Sequence, residues 1–507
     1  RAANLSVQVF EAGTDVGGTW YWNRYPGARC DIESVEYSYS FDNDLQQQWE
    51  WNERYAGQPE ILNYAQHVAD RFDLRRDIQF STRVTSAIFN EKSNNWRVTT
   101  DQGDVLTARF VVFATGCLSS TNVPHFVGAD SFAGDTYHTG EWPHEGVDFT
   151  GKSVGLIGTG SSAIQSIPII ASQAEHLTVF QRTATYSVPA RNDTIDKNYV
   201  KDVKANYKEF RELNKQQTAA FGSRIRRGEQ SALEVSEAER RQEFERRWEE
   251  GGFAFLSSYT DFLLNNDANE TVAEFVREKI YSIVKDPDTA KKLLPKQVIG
   301  CKRLCLDSGY YETFNRPNVS LVDVSADPIE RITEHGLIAG GEDHTFDVLV
   351  YATGFDAMTG SLLKIDIRGR NNQPLAEAWE AGPITYLGLS TAGFPNMFMV
   401  SGPGSPSVLT NMIMSIEQHV EWISDCISHI VASGKTTIET TDAEQTQWVA
   451  FVNAVADMTL YPSCNSWYLG ANVQGKPRVF MPLLGFPTYA EKCSDVAAKG
   501  YEGFVLA

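Results

Sequence analysis

Two kinds of apolar pattern alternate along the chain: short unbroken runs, and longer stretches with a single apolar stripe. Ser153-Val154-Gly155-Leu156-Ile157 is a run of the first kind. It leads through Gly158-Thr159-Gly160-Ser161-Ser162-Ala163 into an apolar helical stretch over about 162–172, and then into a second run, Leu177-Thr178-Val179-Phe180-Gln181. Unbroken runs of this length predict parallel strands covered on both faces, and the order strand, turn, helix, strand predicts a βαβ unit. Phe110-Val111-Val112-Phe113-Ala114-Thr115-Gly116 and Val348-Leu349-Val350-Tyr351-Ala352-Thr353-Gly354 share one design, an apolar run closing in a small-residue turn. Such a pair predicts two related domains, each with a central parallel strand. Leu5-Ser6-Val7-Gln8-Val9-Phe10 predicts a further strand near the start.

Between about 187 and 297 the pattern changes to charged helical stretches such as Glu237-Ala238-Glu239-Arg240-Arg241-Gln242-Glu243-Phe244-Glu245-Arg246-Arg247-Trp248. These read as inserted helices whose charge runs are solvated faces. From about 375 onward Gly, Pro and aromatics are mixed, with one clear helix from Ser415 to about Ser433. No repeat of 20–50 residues and no low-complexity stretch interrupts this plan.

Composition narrows the reading. A chain of 507 residues exceeds one compact core, and at roughly 150 residues per domain it should hold two to four. With 45 Lys+Arg against 65 Asp+Glu the formal charge is −20, which argues against nucleic-acid binding and requires any anionic ligand to find a local positive pocket. No run of 18 apolar residues predicts a membrane span. The seven cysteines are scattered without a CxxC pair, which predicts reduced thiols in a cytoplasmic protein and no disulfide frame. The nine histidines show no HExxH or other ligand spacing, so no metal is assigned.

The chemistry starts at the turn after Ile157. Gly158-Thr159-Gly160-Ser161-Ser162-Ala163 is GxGxxA, whose glycines let a pyrophosphate approach the backbone and lie on the N–H groups of the following helix. At the end of the next strand, 24 residues after Gly158, stands Arg182, followed by Thr183. A carboxylate there would take ribose hydroxyls, whereas a guanidinium pairs with a 2′-phosphate, so the pattern predicts NADP(H). The fold class expected is α/β, two Rossmann-like dinucleotide-binding domains with a helical insertion. Glu11 ends the first strand where a second cofactor's ribose ligand would stand, or is an ordinary surface acid. A Gly-rich turn about 20 residues before it would lie ahead of Arg1, which predicts a leading segment of roughly 30 to 40 residues absent from this sequence.

Phe132-Ala133-Gly134-Asp135-Thr136-Tyr137-His138-Thr139-Gly140-Glu141-Trp142-Pro143 matches FxGxxxHxxxWP at five fixed positions, Phe132, Gly134, His138, Trp142 and Pro143. This stretch resembles the fingerprint of type I Baeyer–Villiger monooxygenases, and the resemblance extends over essentially the whole chain. Gly17-Gly18-Thr19-Trp20-Tyr21-Trp22-Asn23-Arg24-Tyr25-Pro26-Gly27-Ala28-Arg29-Cys30-Asp31 resembles the family's flavin-lining segment, and Lys302-Arg303 its nicotinamide-side pair. Gly402-Pro403-Gly404-Ser405-Pro406-Ser407-Val408-Leu409-Thr410-Asn411-Met412 resembles an active-site loop, and Ser466-Trp467-Tyr468-Leu469-Gly470-Ala471-Asn472 the mobile segment closing over NADP.

The resemblance implies an NADPH-dependent flavin monooxygenase that inserts one atom of O2 beside a ketone carbonyl, giving an ester or lactone through a C4a-peroxyflavin. FAD would be held by Glu11, Gly18, Thr19, Trp20, Trp22, Asp31, Tyr37 and Met412. NADP(H) would be held by Gly158, Thr159, Gly160, Ser161, Ser162, Arg182, Thr183, Lys302, Arg303 and Trp467. Arg303, tuned by Asp31, would stabilise the anions of the reaction. Ser407, Val408 and Leu409 would line the ketone pocket, and the fingerprint stretch, His138 included, would couple the domains. The expected division is 1–120 with 356–507 for FAD, 121–186 with 298–355 for NADP, and 187–297 as the helical insertion. A small ketone and O2 are the partners expected of a monomer. The alternatives are a flavin monooxygenase oxidising nitrogen or sulfur and a non-catalytic NADP-binding fragment. No GxSxG elbow supports a hydrolase.

Overall fold

The computed structural model describes residues 5–507. Its largest sheet has five strands in the order Val319–Asp323, His176–Gln181, Ser153–Ile157, Val348–Tyr351, Asp135–His138, and every pairing is parallel. The two apolar runs that predicted buried central strands lie side by side here, with Leu156 opposite Val179 on one flank and Val350 on the other. Helix Ser161–Gln173 covers one face through Ala163, Ile164, Ile167 and Ile170, all fully buried. The antiparallel strands Ile329–Thr333, Gly336–Ala339 and Glu342–Thr345 contribute Ile332 and Leu337 to a cluster with Phe180 and Leu349 on the opposite face.

The remaining strands form smaller sheets. Asp366–Arg368, Val84–Asn90, Asn95–Thr100 and Val105–Ala108 make one of four strands around Trp96 and Phe394. Val111–Phe113 pairs with Met397–Met399, and Val9–Phe10 with Ile78–Gln79, both in parallel. Here the expectation of fully covered strands fails. Val112 is 45% exposed, and only Val9–Phe10 of the run 5–10 is strand, with Val7 55% exposed. An apolar run states that a face needs cover and cannot supply the element that covers it.

The charged stretch folds as helices Lys197–Ala205, Tyr207–Lys215, Glu237–Glu250, Asn266–Ile283 and Pro287–Lys292. Phe244, Trp248, Phe255 and Phe275 join the core of the five-stranded sheet, whereas Val200, Val203, Tyr207 and Phe210 pack on Ile32, Val35, Trp51 and Tyr64. Arg247 corrects the reading of the charge run as a solvated face. It is buried, ion-paired to Glu243 at 2.7 Å one helical turn back, and donates to the Arg226 carbonyl, so its charge is compensated inside the core. The helix expected from Ser415 begins at Met412, three residues earlier, because the Asn411 side chain caps it by accepting from the Ile413 N–H, and helices Asp442–Asp457 and Phe486–Ala498 follow it.

The cysteine reading is corrected as well. Cys301 and Cys464, 163 residues apart in sequence, are joined in a disulfide with Cα atoms 6.0 Å apart, while Cys30, Cys117, Cys305, Cys426 and Cys493 are free and buried. The pairing joins two loops that only the tertiary fold brings together, which spacing along the chain does not register. Among the described residues, no helix is long and apolar enough to cross a membrane, and no His/Cys/Asp/Glu group could hold a metal ion.

Candidate active site

The GxGxxA turn sits at the end of strand Ser153–Ile157. Gly158 has φ +123°, and a Cβ there would collide with the Ala352 carbonyl of the neighbouring strand, so both its backbone and its surroundings demand glycine. The Gly158 N–H donates to the Phe180 carbonyl at 3.0 Å. Gly160 precedes helix Ser161–Gln173 without any side-chain cap, and the space beside it is open, which leaves N–H groups facing outward for an anion. The Thr159 hydroxyl donates to the Thr183 carbonyl at 2.8 Å, tying the turn to the loop after Arg182. Ser162 meets Thr139 at 3.1 Å, and Ser161 meets the Cys305 thiol at 3.1 Å.

Arg182 is exposed and Lys302 is partly buried; among the described residues, no ion pair joins either to a carboxylate. Burial holds the Lys302 ammonium below its ordinary pKa, and the Arg182 charge pushes the same way. Two cations drawn together without an acid, beside an uncapped helix N-terminus, suit a dinucleotide phosphate chain.

The 17–31 segment is clamped to the same helix. The Tyr25 hydroxyl donates to Gln165 Oε1 at 2.8 Å, Gln165 Nε2 donates to the Arg29 carbonyl at 3.2 Å, and Gly27 lies so close that a Cβ would strike the Gln165 carbonyl. Gly18 precedes the short helix Thr19–Trp22, and the Trp20 indole N–H donates to the Tyr37 hydroxyl at 3.2 Å. Glu11, partly buried at the end of Val9–Phe10, accepts from the Gly13 N–H at 2.6 Å, which leaves its second oxygen for a ligand hydroxyl. Asn411, one residue before Met412, donates to the Glu36 carbonyl at 2.9 Å and so brings the 402–412 loop onto this segment.

Arg303 stands where these pieces meet. Its Nη2 donates to Asp31 Oδ2 at 3.4 Å, its Nη1 donates to the Val408 carbonyl at 3.1 Å, and the Phe253 ring lies 5.2 Å from the guanidinium. Burial raises the Asp31 carboxyl above its ordinary value, and the attraction of Arg303 opposes the rise. For Arg303 burial pulls downward, but Asp31 leads a set of neighbours that lift the guanidinium above its usual value, so it stays charged. Tyr461 and Tyr468 cover the pair; burial lifts the Tyr461 phenol to about 12 although Arg303 draws it down. Trp467 packs against Tyr468, with ring centroids 4.3 Å apart.

The fingerprint stretch crosses the far end of the five-stranded sheet. Buried His138 accepts from the Gly140 N–H at Nδ1 (3.0 Å) and meets Thr353 through Nε2 at 3.3 Å, while Thr353 donates to the Asn122 carbonyl at 2.6 Å. Burial lowers the imidazole pKa, so the ring is neutral and joins three backbone segments as a structural hub. Trp142 packs on Tyr137 and Phe149, Phe132 on the cluster around Leu349, Gly134 against the Asp347 carbonyl, and Pro143 is partly buried.

Ser407, Val408 and Leu409 form a short turn beside Arg303. Ser407 is fully buried with its hydroxyl on Met358 Sδ, and the Val408 side chain packs inward, so this loop reaches Arg303 through its backbone. A cavity of about 400 Å³ is lined by Asp31, Glu33, Glu36, Arg54, Tyr55, Phe221 and Phe253. Phe253, Gln165 and the Cys301–Cys464 bridge carried no sequence signal beyond the doubled Gly251-Gly252 before Phe253.

Comparisons with known proteins agree with this geometry. Residues 30–247 match the family described as pyridine nucleotide-disulphide oxidoreductase. A Baeyer-Villiger monooxygenase of Pseudooceanicola batsensis is 44% identical over 99% of this chain and 92% of its own length. A phenazine N-monooxygenase of Lysobacter antibioticus is 42% identical over 99% of this chain and 92% of its own length. Among solved structures, an oxidized steroid monooxygenase bound to NADP superposes with a TM-score of 0.94 at 53% identity, covering 100% of this chain and 95% of that one. OTEMO in complex with FAD and NADP superposes with a TM-score of 0.95 at 42% identity, covering 100% of this chain and 96% of that one.

Proposed function

The chain belongs to the Baeyer–Villiger monooxygenase family, and from that premise we propose how its own residues divide the work. The reaction is NADPH-dependent insertion of one oxygen atom of O2 beside a ketone carbonyl, with FAD and NADP(H) as cofactors and a small molecule as substrate. When held by these residues, NADPH would supply a hydride and FAD would supply its acceptance and the activation of dioxygen.

The residues supply binding, orientation and charge. Arg182 and Lys302 grip phosphates of NADP(H), Arg182 taking the 2′-phosphate, with Gly158, Gly160, Ser161 and Ser162 receiving the pyrophosphate and Thr159 and Thr183 shaping the turn. Glu11, Gly18, Thr19, Trp20, Trp22, Asp31, Tyr37 and Met412 face FAD. Arg303 presents its guanidinium to the oxygen of the substrate carbonyl as negative charge develops there. Asp31, the Val408 carbonyl and the Phe253 face hold it in position, so little reorganisation is needed during the reaction. Trp467, Tyr468 and Tyr461 exclude water, which strengthens that electrostatic stabilisation. Ser407, Val408 and Leu409 shape the substrate side through their backbone, and His138 with Trp142 couples the two cofactor regions. This assignment divides the chain into 1–120 with 356–507 for FAD, 121–186 with 298–355 for NADP and 187–297 as the insertion.

The observation supporting this best is that adjacent residues of one loop serve both sides: Lys302 lies in the field of Arg182, and Arg303 binds Asp31. The test is a ketone panel with product identification on the wild-type chain and Arg303→Ala. Ketone-dependent ester formation lost in the variant, with visible flavin absorbance retained, supports the roles; unchanged turnover removes Arg303 from the reaction. Amines and sulfides in the same panel test the nitrogen- or sulfur-oxidising alternative. We also read the protein as a cytoplasmic monomer, because one chain supplies every proposed site residue and five of its cysteines are free; light scattering checks the monomer.

A further inference from the structure

We propose that Cys301–Cys464 is a reversible thiol–disulfide exchange site through which a dithiol reductant loosens the segment covering NADP(H). The proposal rests on the reading that residues 464–472 cover that cofactor. Cys301 immediately precedes Lys302 and Arg303, while Cys464 lies two residues before Ser466 and three before Trp467. The bridge therefore joins the loop carrying both active-site cations to the cover above them.

The other ties of that cover are non-covalent. Leu460 N–H donates to the Leu263 carbonyl at 2.8 Å, Asn122 donates to the Asn472 carbonyl at 2.9 Å, Arg478 donates to the Gly470 carbonyl at 2.7 Å, and Met481 N–H donates to the Tyr468 carbonyl at 3.1 Å. Hydrogen bonds of this kind exchange with water at small net cost. Among the described residues the disulfide is the one covalent cross-link between the two segments; once it is cut, only these hydrogen bonds and the packing of Tyr461, Trp467 and Tyr468 hold the cover over Arg303.

Access to the bridge is asymmetric. Cys301 is fully buried, whereas Cys464 retains 7% exposure and is flanked by exposed Pro462, Ser463 and Asn465. An attacking thiolate from the reductant meets Cys464 Sγ first and forms a mixed disulfide with it; Cys301 leaves as a thiolate and takes up a proton. The reductant's second thiolate then displaces Cys464, which is protonated in turn. Two electrons and two protons enter the protein, and the reductant departs as its own disulfide. A peroxide reverses the step: it oxidises one thiol to a sulfenic acid, releasing water, and the second thiol displaces a second water to restore the bridge. The free thiols do not compete well, since burial pushes Cys30, Cys305 and Cys493 up to about 12 and keeps them protonated.

Cofactor and bridge are then thermodynamically linked. If the intact bridge favours the closed cover, and the closed cover favours bound cofactor, NADP+ favours the bridged form by the same factor by which reduction weakens NADP+.

The test uses the FAD-bound protein, dithiothreitol as reductant, hydrogen peroxide as oxidant and NADP+ as ligand. Thiols are counted by maleimide mass shift, and NADP+ affinity is measured by calorimetry. Dithiothreitol should expose two further thiols and weaken NADP+ by about tenfold, within the 5- to 150-fold usual for coupled sites. Peroxide should reverse both changes, and saturating NADP+ should slow thiol appearance. Cys301→Ser and Cys464→Ser should bind NADP+ weakly from the outset and ignore dithiothreitol. The proposal is overturned if no further thiols appear, or if they appear and NADP+ affinity does not change. Trp467→Ala separates the two readings: NADP+ affinity unchanged in that variant sinks the cover assignment, whereas affinity lowered there but indifferent to dithiothreitol sinks only the exchange site.

Discussion

Glu36→Gln should stabilise the protein increasingly as pH rises, because Glu36 is a buried acid at the junction of three segments. It is only 3% exposed, its carboxylate accepts from the Gly222 N–H at 2.8 Å, and its carbonyl accepts from Arg211 and Asn411, both at 2.9 Å. Burial raises its pKa from an ordinary 4.5 to about 7; Glu33 adds to the rise, and the Gly222 N–H, Arg211 and Asn214 oppose it. Between those values the folded chain keeps a proton that the unfolded chain has lost. Stability from this group is therefore fully present below pH 4.5, falls as pH rises and levels off above 7. The difference of 2.5 pKa units corresponds to about 3 kcal/mol, nearly all of it lost by pH 8 but only about 1 kcal/mol lost at pH 5. Gln stays neutral throughout and its carbonyl can still accept from Gly222, so the variant escapes this loss. Thermal melts of both proteins at pH 5, 6.5 and 8 should show a Tm advantage of the variant that widens with pH. A gap independent of pH, or a variant less stable at pH 8, would mean that Glu36 is comfortably ionised in the fold and that the burial argument is wrong.

Arg303→Ala should lower kcat for ketone oxygenation by at least about 10²-fold while flavin absorbance persists, since it removes a positioned donor at the developing charge. Arg182→Ala should raise KM for NADPH by roughly 10- to 100-fold, the worth of a charge-assisted hydrogen bond, with KM for NADH nearly unchanged; equal effects on both would refute the 2′-phosphate contact. Gly158→Ala should cost about 2 kcal/mol or more and weaken NADP+ binding, because its φ of +123° is strained for alanine and the added Cβ strikes Ala352. Thermal melting with calorimetric titration of NADP+ reads both effects, and an alanine variant that matches the parent in both would refute the steric reading of the turn.

The βαβ unit at 153–181 was legible because its strands pair with each other and with Val348–Tyr351, itself an unbroken apolar run, and because helix Ser161–Gln173 covers one of their faces from within the unit. Legibility fell where cover comes from elsewhere. Val111–Phe113 reads like Val348–Tyr351, yet Val112 is exposed and, among the described residues, the strand pairs only with Met397–Met399. Arg247 fails in the opposite sense: its helix carries charge on nearly every turn, and only the aromatic cluster of Phe244, Trp248 and Phe275 buries that face. Hydropathy describes what a face needs, and tertiary packing decides which of those needs is met.

The site divides along the same line. The GxGxxA turn and Arg182 belong to one local unit, so their chemistry follows from spacing. Arg303 and Asp31 are 272 residues apart, and no periodicity joins them; only the resemblance to a family named them together. The remaining parts of the Arg303 setting are a backbone carbonyl at Val408 and an aromatic face at Phe253, groups whose residue types reveal nothing about their use. Charge shows the limit most clearly. A count of −20 requires some local positive pocket, but it cannot say which cations are left unpaired. Lys302 is withdrawn from water with no ion-paired carboxylate among the described residues, and Arg182 makes its protonated state less favourable still. Cations whose charges repel one another gain most from a bound anion, which is the physical reason for proposing the phosphates there.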